Sequence, residues 1–467
     1  MNDASSPVPV RSAGSTLGKG FLGLRHAVVI SVAVMSPAAS IFFNTIPQAG
    51  LVGAAIPLCY VIGFIVALLV ANQYSELSRE LPSSGSAYTY VREGLNPAWG
   101  FLTGWLGLAA VAVGAPYSFV LMSANIQVLV SRWFGLNINW IFWFVLAVGI
   151  VFALCYTGIR QSLQVDMTLL VFEMGICLIL AALVFFHVGN QGGLSLAPFS
   201  VSQVPKGGDL TVGIILAVLS FIGFETAATL GEETADPHKN IPRAVFGSML
   251  VVGIFYILMA YAATIGYGIQ QMATGYANDP APFDTIGRHF SGSIFASIID
   301  LAGTLSFFSA ALAIINGGAR IIYTVGRDGL LPRWTALAHP IHQTPIGAIT
   351  LLCVFALICG IPLGILLTPI TAFSLLGTLD ALLILPIYIL VNIACIRFFR
   401  RQRRGQFHLV RHGLIPIIST MLMAAIFIAA FISPGPAPLV FVPVIVGTWL
   451  LIGGILIIRM RKQLTQA

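Results

Sequence analysis

Long continuous apolar runs alternate with short polar connections along almost the whole chain. Twelve of them predict helical spans, at 24–47, 51–72, 98–130, 139–157, 163–187, 210–231, 243–268, 293–325, 346–366, 370–396, 413–432 and 438–458. About 20 apolar residues suffice for one helical crossing of a bilayer. The runs are unbroken in Leu, Ile, Val, Ala and Phe, unlike the short alternating strands of an outer-membrane barrel. Two spans, five apart, carry a break near the middle. Span 1 contains Ser36-Pro37-Ala38-Ala39-Ser40, and span 6 contains Phe221-Ile222-Gly223-Phe224-Glu225. Proline lacks an amide donor and glycine weakens a helix, so both segments free backbone groups that lipid cannot satisfy. Breaks in corresponding halves point to a substrate site in a secondary transporter.

The chain is 467 residues long, 58% hydrophobic and 8% charged, against about 25% charged in a soluble domain. With a cytoplasmic N-terminus, 20 of the 23 lysines and arginines fall in inner segments, and only Arg132, Lys206 and Arg288 fall outside. The positive-inside rule therefore predicts a multi-pass protein of the plasma (cell) membrane with both termini cytoplasmic. The net charge of +7 reflects this topology, so it argues for no nucleic-acid partner. The N-terminal segment lacks the apolar core and cleavage site of a signal peptide and reads as a mobile tail. The six cysteines lie within spans without paired or metal-ligand spacing, so no metal site is expected.

Most connections are short, which suggests one membrane domain. Its expected parts are a cytoplasmic tail (1–23), a first five-helix repeat (24–187), a second (210–396), helices 11 and 12 (413–458) and a tail (459–467). An odd number of helices per repeat forces inverted topology. Three cytoplasmic connections stand out: the Gly/Ser/Pro-rich 78–97, the charged 231–243 and the arginine-rich 397–412. The last reads as a topology determinant beside anionic lipid.

The chain resembles the amino acid–polyamine–organocation superfamily, in its bacterial-type amino acid permeases, at four places. Residues 221–242 (FIGFETAATLGEETADPHKNIP) are similar to its Gly-Phe-Glu break followed by an acidic pair, Asn/Asp-Pro and Ile-Pro. Residues 81–105 (LPSSGSAYTYVREGLNPAWGFLTGW) match its Pro-Ser-x-Gly-x-x-Tyr-x-Tyr segment. Residues 319–332 (ARIIYTVGRDGLLP) match its Arg-Asp-Gly-Leu-x-Pro signature, and 377–399 is the fourth stretch. The resemblance implies an all-α fold of twelve transmembrane helices: an inverted five-plus-five repeat with discontinuous helices 1 and 6, plus two C-terminal helices. It also implies transport of amino acids or related amines by alternating access. An aromatic gate on span 6 is a further implication.

An amino acid presents a carboxylate and an ammonium. Amides at a half-helix N-terminus suit the carboxylate, which points to Ser36, Pro37, Ala38, Ala39 and Ser40. Carbonyls at a half-helix C-terminus suit the ammonium, which points to Phe221, Ile222 and Gly223. The plain alternative is a proline kink and a glycine packing contact. Phe221 and Phe224 read either as packing or as a gate. Glu225 reads either as a conformational sensor or as a cap on freed amides. Glu232, Glu233 and Asp236 are expected to pair with loop arginines such as Arg79 or Arg243.

Glu173 lies near the middle of span 5. In several relatives the resemblance places a lysine there, replacing a coupling sodium; no span of this chain has one. Glu173 is therefore a candidate carrier of a coupling proton, with a sodium ligand or a structural acid as alternatives. Asp380 in span 10 could join the site or meet a cationic substrate. Asp300 is expected in the outer vestibule. Ser306 and Ser309 could complete an ion shell or simply pack, and Tyr117 could project into the cavity.

The leading reading is a secondary transporter, by proton symport or exchange, that needs no cofactor. No phosphate-binding Gly-x-x-x-x-Gly-Lys-Ser/Thr loop is present. A channel lacks a filter-like motif here. A membrane enzyme lacks clustered histidines or aspartates. Within the transporters, a polyamine or other amine carrier is the second reading, favoured if a carboxylate such as Asp380 faces the site. Oligomeric state stays open.

Overall fold

The computed structural model describes residues 17–432 and 437–459. Among the described residues, eleven stretches are long and apolar enough to cross a membrane, and the first, Leu24–Glu80, holds 57 residues. At ~1.5 Å per residue it would extend about 85 Å against a ~30 Å hydrocarbon core. It instead reverses at 53–55, so it makes two crossings and the total is twelve. Gly53 permits the reversal: its φ is +56°, and a Cβ there would sit 2.9 Å from the Gln203 carbonyl oxygen.

Span 1 is two helices, α1 (Leu24–Met35) and α2 (Pro37–Val52), and span 2 is α3 (Ile56–Glu80). A short helix α4 (Ala87–Gly94) interrupts the segment read as a loop, and α5 (Pro97–Phe134), α6 (Trp140–Thr157) and α7 (Ile159–Asn190) complete the first half. Span 6 is α8 (Leu210–Leu219), a turn, and a 3-10 helix at Phe224–Leu230. The second piece is thus tighter than an α-helix. Then follow α9 (Pro237–Tyr267), α10 (Pro282–Ser291), α11 (Ser293–Arg327), α12 (Ile346–Leu367) and α13 (Pro369–Arg401). The last spans are α14 (Ile415–Ile432) and α15 (Val442–Arg459). Several helices outrun their apolar cores: α3 continues to Glu80 and α13 to Arg401, because helix geometry persists into the polar boundary.

The halves are related by an inverted repeat. α9 lies along α3, and α11 along α5. α13 packs on α5 as α7 packs on α11, and α1 packs on α9 as α8 packs on α3. Exchanging spans 1–5 with 6–10 preserves these neighbours. α14 and α15 flank α13. Trp105 of α5 and Trp449 of α15 stack at 4.2 Å, each indole N–H donating to the other's carbonyl at 3.0 and 3.1 Å.

The mobile-tail expectation fails for residues 17–23. Leu17 and Leu22 are buried, and Leu22 pairs as an isolated parallel bridge with Thr234. The Leu22 amide donates to the Glu233 carbonyl at 3.0 Å, and Ala235 returns a bond to Leu22 at 2.8 Å. Apolar side chains in a polar segment found a groove to fill. Residues 1–16 and the tail 460–467 lie outside the described residues.

Both breaks have special backbones. Ser36 takes the left-handed region (φ 43°, ψ 71°), uncommon for a residue with a Cβ. Gly223 has φ +114°, and a Cβ there would lie 2.4 Å from Val34 Cγ1. Both φ and space demand glycine. Gly223→Ala is expected to cost roughly 1–3 kcal/mol, read as a lower melting temperature in detergent, while Gly377→Ala, at a glycine with open space, leaves it unchanged.

Candidate functional site

The breaks meet at a cavity of about 600 Å³ between spans 1, 3, 6, 8 and 10. It extends from Ile370 and Leu439, at the starts of spans 10 and 12, to Ser86 and Tyr88 by α4.

Proline at the first position of α2 and a left-handed Ser36 separate α2 from α1. Ser40 N–H still bonds the Ser36 carbonyl at 2.8 Å. The Ala38 and Ala39 amides find no acceptor among the described residues. They sit at the positive end of the α2 dipole, an arrangement suited to a carboxylate. Ser36, Ala39 and Ser40 line the cavity, whereas Pro37 and Ala38 stand behind it.

Tyr256 of α9 reconciles the two breaks. Its phenol oxygen is 2.7 Å from the Met35 carbonyl and 3.0 Å from the Ser220 carbonyl, at the last turns of α1 and α8. Ser40 Oγ also donates to Met35 at 2.8 Å. Ser31 of α1 does the same for the 3-10 segment: its hydroxyl donates to the Phe224 carbonyl at 2.6 Å and accepts from the Ala227 amide at 2.8 Å. Neither Tyr256 nor Ser31 carried a sequence signal, because each looks like an ordinary polar residue in a long span.

On span 6, Ile222 and Gly223 line the cavity. The Gly223 carbonyl is occupied by Thr226 N–H at 3.0 Å, while the Ile222 carbonyl accepts nothing from the described residues. Phe221 and Phe224 do not line it. Phe221 packs on Phe64 and Tyr256, and Phe224 on Tyr74 and Tyr388. Their assignment to the substrate surface is corrected: glycine turns the chain so that both rings point into the helix packing. The aromatic surface at the other end comes from four spans. Phe43, Phe307, Phe373 and Tyr117 form one cluster, with ring centroids 5.4–6.2 Å apart, and all line the cavity. Only Tyr117 of these was legible in advance.

Glu225 both caps and faces the cavity. Its Oε2 accepts from Gly223 N–H at 3.1 Å and from Tyr388 Oη at 2.9 Å. Asp380 also lines the cavity, and its carboxylate has no hydrogen-bond partner among the described residues. Among the described residues, no lysine, arginine or histidine lines the space.

Glu173, Ser306 and Ser309 are fully buried outside the cavity, between α7 and α11. Ser309 Oγ donates to Asp166 Oδ1 at 2.9 Å. Asp166 was missed because it lies in the first polar turns of α7. Asp300 is remote too: Arg132 bridges it at 2.7 Å to Asp284 at 3.3 Å.

The acidic loop pairs differently from expectation. Glu233 forms a buried two-pronged pair with Arg320 of α11, with one hydrogen bond at 3.1 Å and a second from Nε. Glu232 pairs with Arg327 at 2.9 and 3.0 Å. Arg79 instead faces Glu76 at 3.8 Å. The acidic side chains of the loop fold under α11, and the loop meets α3 through His238, whose Nδ1 lies 2.6 Å from the Arg79 carbonyl. Burial alone pushes the Glu232 carboxyl up, and the Arg327 hydrogen bonds and charge outweigh it, leaving Glu232 below its ordinary range.

Two outcomes follow. Tyr256→Phe removes the hydroxyl shared by the Met35 and Ser220 carbonyls, of which Met35 keeps Ser40 as a donor, and is expected to cost about 1–3 kcal/mol, measured by thermal unfolding in detergent. The Arg327–Glu232 contribution is complete above about pH 4.3 and is lost as pH falls through the lower folded value; Glu232→Gln should remove that acid-side loss from a melting-temperature profile.

Comparison with known proteins agrees with this architecture. An amino acid permease family model matches residues 22–459. The chain is 27% identical over 349 residues to a low-affinity putrescine importer, PlaP, of Escherichia coli (strain K12), covering 71% of this chain and 74% of that protein. It is 25% identical over 383 residues to the branched-chain amino acid permease BcaP of Bacillus subtilis (strain 168), covering 78% and 77%. It is 25% identical over 333 residues to cationic amino acid transporter 7, chloroplastic, of Arabidopsis thaliana, covering 66% and 55%.

Proposed function

The chain belongs to the amino acid permease family, and from that premise we propose that it carries amino acids by proton-coupled symport or exchange, with Glu173 as the coupling acid. One observation carries the substrate reading: the unpaired Ala39 amide at the start of α2 and the unpaired Ile222 carbonyl belong to residues that line one cavity. A zwitterion has a carboxylate for the first and an ammonium for the second. Glu225 and Asp380 add acidic groups to the lining, and among the described residues nothing basic lines the space. The aromatic cluster of Phe43, Phe307, Phe373 and Tyr117 is positioned to close over the substrate.

Glu173 suits the coupling role because both its oxygens are buried without a hydrogen-bond partner. An uncompensated charge in such a place is costly, so proton binding and release are tied to conformation. Lysines and arginines cluster on the face that holds α4 and the 397–412 connection, so that face is the cytoplasmic one of the cell membrane.

A second reading rests on Asp380. A carboxylate facing the cavity without a partner suits a second ammonium, as in a diamine or a basic amino acid. The putrescine importer and the cationic amino acid transporter among its relatives are named for such substrates.

The test is uptake of labelled amino acids and diamines into proteoliposomes, with an inward proton gradient and no sodium. The expected result is accumulation abolished by an uncoupler and by Glu173→Gln. Accumulation surviving Glu173→Gln rejects Glu173 as the coupling acid. Uptake that needs preloaded substrate identifies an exchanger. Uptake of diamines alone, lost in Asp380→Asn, selects the second reading.

A further inference from the structure

We propose that Asp166 is a second proton-bearing site, which relays the coupling proton between Glu173 and the α4 face; this rests on the assignment of Glu173 above. The geometry is a pair of rungs between two antiparallel helices. Asp166 and Glu173 are seven residues apart on α7, close to two full turns, so they share one face. On α11, Ser306 and Ser309 are one turn apart and also share a face. α7 packs along α11 in the opposite direction, so that Asp166 meets Ser309 at 2.9 Å and Glu173, further along α7, lies on the Ser306 side of that contact.

All four residues are fully buried. Ser309 Oγ donates to Asp166 Oδ1 at 2.9 Å, while Asp166 Oδ2 has no hydrogen-bond partner among the described residues. Neither oxygen of Glu173, nor Ser306 Oγ, makes a hydrogen bond of ordinary geometry. A purely structural acid would have its oxygens bonded, since unsatisfied buried polar groups are expensive. Here two acids and a hydroxyl keep spare capacity on a single line. Their titratable neighbours are Cys155 of α6, Cys177 of α7 and Tyr256 of α9.

Position gives the line a direction. Asp166 lies about 10 Å and Glu173 about 21 Å along α7 from its start, at ~1.5 Å per residue. That start is at the α4 face. Each hydroxyl accepts a proton on one side and gives its own on the other. In the net step the O–H bond at Glu173 breaks, one forms at Asp166, and both serines end unchanged. The gap between Ser306 and Ser309, about 5–6 Å at Cβ, is one that a single water bonded to both hydroxyls would span.

The test uses the full chain in proteoliposomes, following labelled substrate together with a trapped pH dye. Counterflow at equal pH reads substrate exchange. Gradient-driven accumulation with dye response reads net proton movement. Asp166→Asn is expected to retain counterflow within twofold while proton co-flux falls at least tenfold, and Asp166→Glu is expected to restore part of it. Wild-type co-flux in Asp166→Asn, with co-flux lost in Glu173→Gln, overturns the relay and leaves the Glu173 assignment standing. Wild-type co-flux in Glu173→Gln overturns both. If Asp166→Asn fails to fold, Ser309→Ala decides: slowed co-flux with intact counterflow supports the relay, and wild-type co-flux overturns it.

Discussion

The structure depends on one constraint: backbone that leaves helical geometry inside a bilayer must be satisfied by protein. Two side chains meet it where the breaks touch. Tyr256 serves the carbonyls that end α1 and α8, and Ser31 serves an amide and a carbonyl of the 3-10 segment. Each spans elements from different halves of the repeat. The breaks are therefore mutually supported, and the cavity exists because they hold each other open. What stays unbonded among the described residues, the Ala38 and Ala39 amides and the Ile222 carbonyl, lies in residues that line or border the cavity.

Electrostatics divides the interior into two compartments. The cavity holds Glu225 and Asp380 among small and aromatic side chains. The α7–α11 contact holds Glu173 and Asp166 with two serines. Tyr256 stands between them, bonded to the break on one side and near Glu173 on the other. Under the proposed coupling role of Glu173, that shared tyrosine is a short connection between the proton and the cargo.

Much of the fold was legible from periodicity and punctuation. Long apolar runs marked the spans, and proline or glycine with small neighbours marked both breaks. The site was legible only in part. Ser36, Ala39, Ser40, Ile222, Gly223, Glu225, Tyr117 and Asp380 do line the cavity. Phe221 and Phe224 do not, because the turn at Gly223 rotates adjacent residues to opposite sides. Tyr256, Ser31, Phe43, Phe307 and Phe373 were invisible because their roles depend on which face of each span looks inward, and an all-apolar helix carries no such phase. The order in residues 17–23 depends on a groove made by the distant 231–235 loop, which no local pattern encodes.

The Arg320–Glu233 pair lies wholly out of water, and Leu22 is zipped to the same loop by backbone bonds. Separating that loop from α11 strands two full charges until solvent floods in, whereas small displacements that keep the pair intact cost little. Such an energy profile is a latch rather than a spring. It resists partial separation of the loop from α11, because a half-broken pair leaves a buried charge without its partner.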